Sequence, residues 1–123
     1  HVIVPVPLHR KRLVHRGFNQ AYLLVHEFPR LFQAWAGVAP GWRISNRLLF
    51  RSRNTLSQTG FDKARRAENI KGAFRVKYPS KVKGRRIILT DDVYTTGATA
   101  REAASTLFKA GALSVDLLVL ARA

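Results

Sequence analysis

The run Ile88–Thr99, ILTDDVYTTGAT, constrains the fold of this chain more than any other stretch. Residues 86–92 are apolar almost throughout and end in two adjacent acids, the pattern of a central parallel strand covered on both faces. Ala98 to Ala110 then reads as a helix, with Ala100, Ala103, Ala104, Leu107 and Phe108 on its inner side and Gly111 as its stop. SVDLLVLAR, residues 114–122, reads as a further buried strand. Strand, helix, strand in this order predicts a βαβ unit and an α/β fold with a mainly parallel central sheet flanked by helices.

Upstream, Val2–Pro7 is β-branched and proline-bounded, a strand whose backbone need not bond on both sides throughout. A basic turn, LHRKRLVHRG, follows. Phe18, Ala21, Tyr22, Val25, Phe28, Phe32 and Trp35 recur at helical spacing. Pro29 removes a backbone donor within that pattern and predicts a kink or two consecutive helices. RISNRLLF reads as one strand and AFRV as another. Between them, Arg51–Gly72 is long, polar and cationic, with a short helix expected around Asp62–Asn69; a stretch of this length in a compact domain is expected to be functional, such as a lid.

The 123 residues suffice for one domain with a core. No apolar stretch reaches the roughly 20 residues of a spanning helix, and the charges of HVIVPVPLHRKR follow its apolar part, the reverse of a secretory signal. These features predict a cytoplasmic protein without membrane insertion. The chain has no cysteine, which excludes disulfides, thiolate catalysis and cysteine-ligated metal. It opens on His1, without methionine and directly inside a predicted strand, and so reads as a fragment of a longer protein. Against 7 acids stand 22 lysines and arginines, a net charge of +15, which points to phosphorylated partners, whether a polyphosphorylated small molecule or a nucleic acid.

Asp91 and Asp92 fall where open α/β sheets bind ligands, beyond the carboxyl end of a strand. Alone, such a pair is an ordinary solvated strand end. The turn that follows, Thr95 to Thr99, changes the reading: free backbone N–H groups at a helix start and threonine hydroxyls suit a phosphate, and Gly97 allows close approach. Carboxylates would repel that phosphate, so they face something else on the same ligand, with sugar hydroxyls the natural donors and Mg²⁺ a neighbour. The Gly-Lys-Ser/Thr of a P-loop is absent. His9 and His15 lack a metal-ligand pattern, and Trp35 and Trp42 read as packing residues.

From Ile87 to Thr99 the sequence resembles the signature of the type I phosphoribosyltransferases. That resemblance implies that Asp91 and Asp92 hold the ribose hydroxyls of phosphoribosyl pyrophosphate (PRPP), and that Thr95, Thr96, Gly97, Ala98 and Thr99 hold its 5-phosphate. VPVPLHRKRLVHRGFNQA, RSRNTLSQTGFDKARRAENIKGAF and the acidic motif, in that order, are similar to the ComF family of competence-associated phosphoribosyltransferase-like proteins. The resemblance implies that His9, Arg10, Lys11, Arg12 and Arg16 meet the pyrophosphate, with Mg²⁺ bound alongside PRPP and no direct metal ligand from the protein. It also implies a basic hood with Arg51, Arg53, Gln58, Arg66 and Asn69 as contacts, and a cysteine-rich, zinc-ribbon-like segment ahead of the domain that is missing from this sequence. No residue set specifies a purine, a pyrimidine or another acceptor. Two function classes remain open: a phosphoribosyltransferase or PRPP- or nucleotide-binding protein, and a non-catalytic module of DNA uptake whose basic surface binds single-stranded DNA or DNA-uptake proteins.

Overall fold

The computed structural model describes residues 1–53 and 63–123. In chain order the elements are β1 (Val2–Pro5), α1 (Arg10–Arg16), α2 (Gln20–Val25), α3 (Phe28–Ala36), β2 (Arg43–Ile44), β3 (Leu49–Arg51), α4 (Lys63–Ile70), β4 (Phe74–Val76), β5 (Arg86–Tyr94), α5 (Ala98–Lys109) and β6 (Ser114–Arg122). Four strands form a parallel sheet in the order β2-β1-β5-β6, and β3 pairs antiparallel with β4 beside it. This is the α/β architecture expected, consistent with a phosphoribosyltransferase-like domain.

β1 sits between two partners, yet its bonding to β2 covers only Val2 and Ile3, while Val2 to Pro5 all pair with β5. The prolines therefore lie where a second hydrogen-bonded neighbour is lacking. Val2, Val4 and Val6 align with Ile87 and Leu89 to face a core completed by Ala98, Ala103 and Leu107 of α5, Leu48, Leu49, Ile70 and Phe74. The opposite face is covered by α2 through Ala21 and Val25, both buried. No helix among the described residues is long and apolar enough to cross a membrane.

Several local expectations are corrected. The basic turn after β1 is the helix α1: His9 Nδ1 accepts from the Lys11 amide, and Gly17 closes the helix at φ 84°. It buries no residue, so no apolar periodicity could announce it. Pro29 does divide the long helix, standing in the first turn of α3, where its missing N–H costs nothing. α3 buries none of its residues, and Trp35 is 84% exposed, so it does not pack into the core. RISNRLLF is two strands in two different sheets, because the chain leaves the edge of the main sheet after Ile44 and turns to pair with β4. Phe108 of α5 is half exposed, and Ala98, rather than Phe108, completes the buried stripe. β6 is an edge strand with an exposed middle, not a buried one. β5 runs on past the acids to Tyr94, since its pairing with β6 continues to Tyr94↔Arg122 after β1 has ended opposite Thr90.

Candidate functional site

The chain leaves β1 toward β2 on one side and leaves β5 toward β6 on the other, although β1 and β5 are neighbours. The carboxyl ends of these two strands therefore open a crevice between diverging connections, the place where open α/β sheets bind ligands. A cleft of about 360 Å³ lies there, lined by Arg12 and Arg16 of α1, by Asn19 and Gln20, by Arg51 at the end of β3, and by Asp91, Asp92 and Thr99. A second, narrow hollow of about 30 Å³ lies under the turn 95–99, and Asp91 and Thr99 line both.

Asp91 and Asp92 stand inside the strand. The Asp92 amide donates to Asp91 Oδ1 at 2.9 Å, and the Val93 amide donates to Asp92 Oδ1 at 2.9 Å. Burial pushes the Asp91 carboxyl up to about 7, and the Asp92 side chain adds to the shift, against the opposing hydrogen bond from the Asp92 amide and a smaller pull from Arg51. Arg51 is itself buried, with its guanidinium 5.1 Å from the Phe74 ring centre. Desolvation, then the like charge of Arg12, lowers its pKa to about 10, while Asp91 opposes that fall. Among the described residues, Arg51 Nε and Thr90 Oγ1 are buried without a hydrogen-bond partner.

The turn is shaped by Gly97 at φ 80°, the residue preceding the first turn of α5. The backbone conformation requires glycine, and a Cβ at this position would also displace the tips of the Tyr94 and Arg101 side chains. The Ala98 amide lies 3.4 Å from Thr96 Oγ1, which turns a hydroxyl toward the start of α5.

Of the residues expected at the pyrophosphate, Arg12 and Arg16 line the cleft; His9 instead caps α1, and Arg10 and Lys11 are exposed on that helix away from the lining. Of the hood residues, Arg51 enters the cleft. Arg53 instead donates to the Asn69 carbonyl at 2.9 Å and to the Lys71 carbonyl at 2.5 Å, tying β3 to the end of α4. Arg66 and Asn69 lie on α4 and do not line the cleft, and Gln58 lies outside the described residues. Asn19 stands in the sequence within the run VPVPLHRKRLVHRGFNQA, with no role of its own expected there. Its Oδ1 accepts from the Tyr22 amide and its Nδ2 donates to the Val6 carbonyl at 3.1 Å, so it caps α2 and fastens it to the end of β1. Asn before an apolar helical run is the signal that could have found it. Gln20 accepts from Arg16 at 2.7 Å and sets the direction of that cation.

Two adjacent carboxylates offer hard oxygen ligands that suit Mg²⁺, and no group of three or more histidines and acids that could form a metal cage occurs among the described residues. The donor set fits a metal held largely by ligand oxygens and water.

No family model matches the chain. Over 121 residues, 98% of this chain and 48% of the relative, it is 38% identical to DNA utilization protein YhgH of Escherichia coli strain K12. It is 35% identical over 122 residues to Competence protein F of Haemophilus influenzae, covering 98% of this chain and 50% of that one. To Competence protein ComFC of Bacillus subtilis it is 36% identical over 125 residues, again 98% of this chain and 44% of the relative. The chain spans about half the length of the curated relatives it matches. Similarity sustained across 98% of its residues, with no motif left outside it, shows that this chain belongs to the ComF family.

Proposed function

We propose that this domain binds PRPP with Mg²⁺ in the cleft between β1 and β5, in the service of DNA utilisation or competence. One observation carries the reading: the acid pair, three arginines and the glycine turn entering α5 converge at the switch point of the sheet. Asp91 and Asp92 accept hydrogen bonds from the ribose hydroxyls. The turn 95–99 receives the 5-phosphate on backbone N–H groups and threonine hydroxyls. Arg12, Arg16 and Arg51 face the pyrophosphate. Bound Mg²⁺ would add charge neutralisation on the pyrophosphate oxygens. If an acceptor attacks C1 of the ribose, the C1–O bond to pyrophosphate breaks and the electron pair leaves with the oxygen. Cations already fixed near that oxygen stabilise the growing charge without reorganising. The names of the relatives support a link to DNA utilisation and competence, and the shared sequence spans about half of each.

The test is a thermal-shift and calorimetric titration with PRPP, with and without Mg²⁺. Ligand at a hundred times its Kd adds roughly 2.7 kcal/mol to stability. A Mg²⁺-dependent shift that is lost in the Asp91→Asn, Asp92→Asn double variant is expected. An unchanged affinity in the folded double variant refutes the site.

A second reading rests on a different surface. Arg43, Arg47 and Lys81 line a cleft of about 200 Å³ with Tyr78, and no acid lines it among the described residues. Lys77 and Lys81 stand 5.4 and 5.1 Å from the Tyr78 ring centre, and Tyr78 is 39% exposed. Cations around an exposed aromatic suit the backbone and bases of single-stranded DNA. Such binding would weaken by roughly a thousandfold between about 50 and 200 mM salt if six phosphates are contacted, and would be indifferent to Asp91.

A further inference from the structure

β6 is nine residues long and ends the main sheet; within the described residues β5 is its one strand partner. Among the described residues no strand pairs with its outer row of backbone N–H and C=O groups. Edge strands are ordinarily short, or guarded by charge, proline or a bulge, because an open edge recruits another strand. β6 has none of these guards in its centre. From Leu117 to Ala121 it is uncharged, and Leu118 is 45% and Leu120 72% exposed. In a chain of net charge +15, this strand is neutral, carrying one acid, Asp116, and one base, Arg122.

From this placement we infer that β6 is a homodimer interface, in which the β6 strands of two copies pair antiparallel about a two-fold axis at Val119. The occupant follows from charge complementarity along the strand. Antiparallel self-pairing centred on Val119 sets Asp116 opposite the partner copy's Arg122, and by symmetry does so twice. The same register places Leu118 opposite the partner copy's Leu120 and Leu117 opposite Ala121, so every apolar residue meets an apolar one. Moving the axis by one residue along the strand breaks this. Centring on Leu118 sets Asp116 against Leu120 and Arg122 against Ser114, and centring on Leu120 leaves Asp116 without an opposite residue in the strand. Side chains directly opposite on one face are the unit of sheet stabilisation, and opposite charges there are favourable.

Arg122 is held for this role, its guanidinium 5.9 Å from the Tyr94 ring centre at the end of β5. Leu118 and Leu120 share a shallow apolar groove with Leu24 and Phe28, which the second copy's Leu118 and Leu120 would flank. Pairing would join two four-stranded parallel sheets into one continuous sheet. Pairing through β6 does not depend on PRPP binding, and neither outcome for that ligand bears on it.

The test is sedimentation velocity on the protein and on charge variants at physiological ionic strength. A concentration-dependent dimer is expected. Asp116→Arg alone should weaken it by about tenfold or more, since two favourable cross-strand pairs become repulsive. Adding Arg122→Asp to Asp116→Arg should restore it. Register is read separately by cysteine pairing, which the absence of native cysteine makes unambiguous. Leu118→Cys mixed with Leu120→Cys should form a cross-linked dimer under mild oxidation, and either variant alone should not, because only the directly opposite positions reach disulfide distance. A protein that stays monomeric at its highest soluble concentration overturns the proposal. So does a dimer indifferent to Asp116→Arg, or one cross-linked equally by the unmixed variants.

Discussion

Asp91→Asn should make the unliganded protein more stable, by an amount that depends on pH. Burial, then Asp92, raises the Asp91 carboxyl from an ordinary 3.8 to about 7, a net shift that already includes the attraction of Arg51. Each unit is worth about 1.4 kcal/mol, so ionising this group at pH 8 costs the folded chain roughly 4 kcal/mol relative to the unfolded one. The sign follows from proton counting. Between about pH 4 and pH 7 the folded chain keeps a proton that the unfolded chain has released, so stability from this group falls as pH rises and levels off above its folded pKa. Asparagine has the shape of the protonated acid and does not titrate. The variant should therefore match the parent near pH 4 and exceed it by about 2–4 kcal/mol near pH 8. For a domain of this size that is a rise in Tm of roughly 8 °C or more. The assay is thermal and urea unfolding of both proteins across that range. Parallel pH profiles, or a variant less stable than the parent at pH 8, would refute the claim that the folded state strains to hold this charge. A group that weakens the free protein and sits in the main cleft is also what a ligand-binding carboxylate looks like, since the cost is recovered when donors or a cation arrive.

Arg51→Met should leave the fold intact, because removing a desolvated cation relieves a burial cost, and it should weaken PRPP binding by about tenfold or more in calorimetry. It should also raise the Asp91 pKa further, which an NMR titration of the carboxyl carbon can follow, since the charge of Arg51 adds to the Asp92 amide in lowering it. Gly97→Ala should destabilise the domain by about 1–3 kcal/mol in urea unfolding and abolish ligand shifts, as the new methyl needs φ 80° and the space of Tyr94. Asn19→Ala should lose about 1 kcal/mol of stability with the cap of α2, and it should weaken PRPP binding by more than the stability loss explains because Arg16 and Gln20 move with that helix start. Trp35→Ser should change unfolding free energy by less than about 0.5 kcal/mol, since the side chain is 84% exposed.

The sequence alone determined the βαβ unit around the acid pair, the break at Pro29, and the chemistry of the turn at Gly97. Each is a local matter: continuous apolar runs and helical apolar spacing, one missing N–H, one positive φ. It likewise placed Asp91, Asp92 and the turn together, because they are contiguous in the chain. What only the tertiary structure decided was set by partners distant in sequence. α1 exists through its caps and buries nothing, so its pattern is that of a charged loop. Leu49–Arg51 left the strand that Arg43–Ile44 began because β4, more than twenty residues later, offered the better pairing. That departure is what carries Arg51 beneath the cleft and strips it of water, and no window around Arg51 contains Phe74 or Asp91. β6 has the composition of a buried strand, and its exposure follows from its place at the end of the sheet order. Apolar composition states what a segment would gain by burial, while sheet order decides which segments have neighbours to bury them.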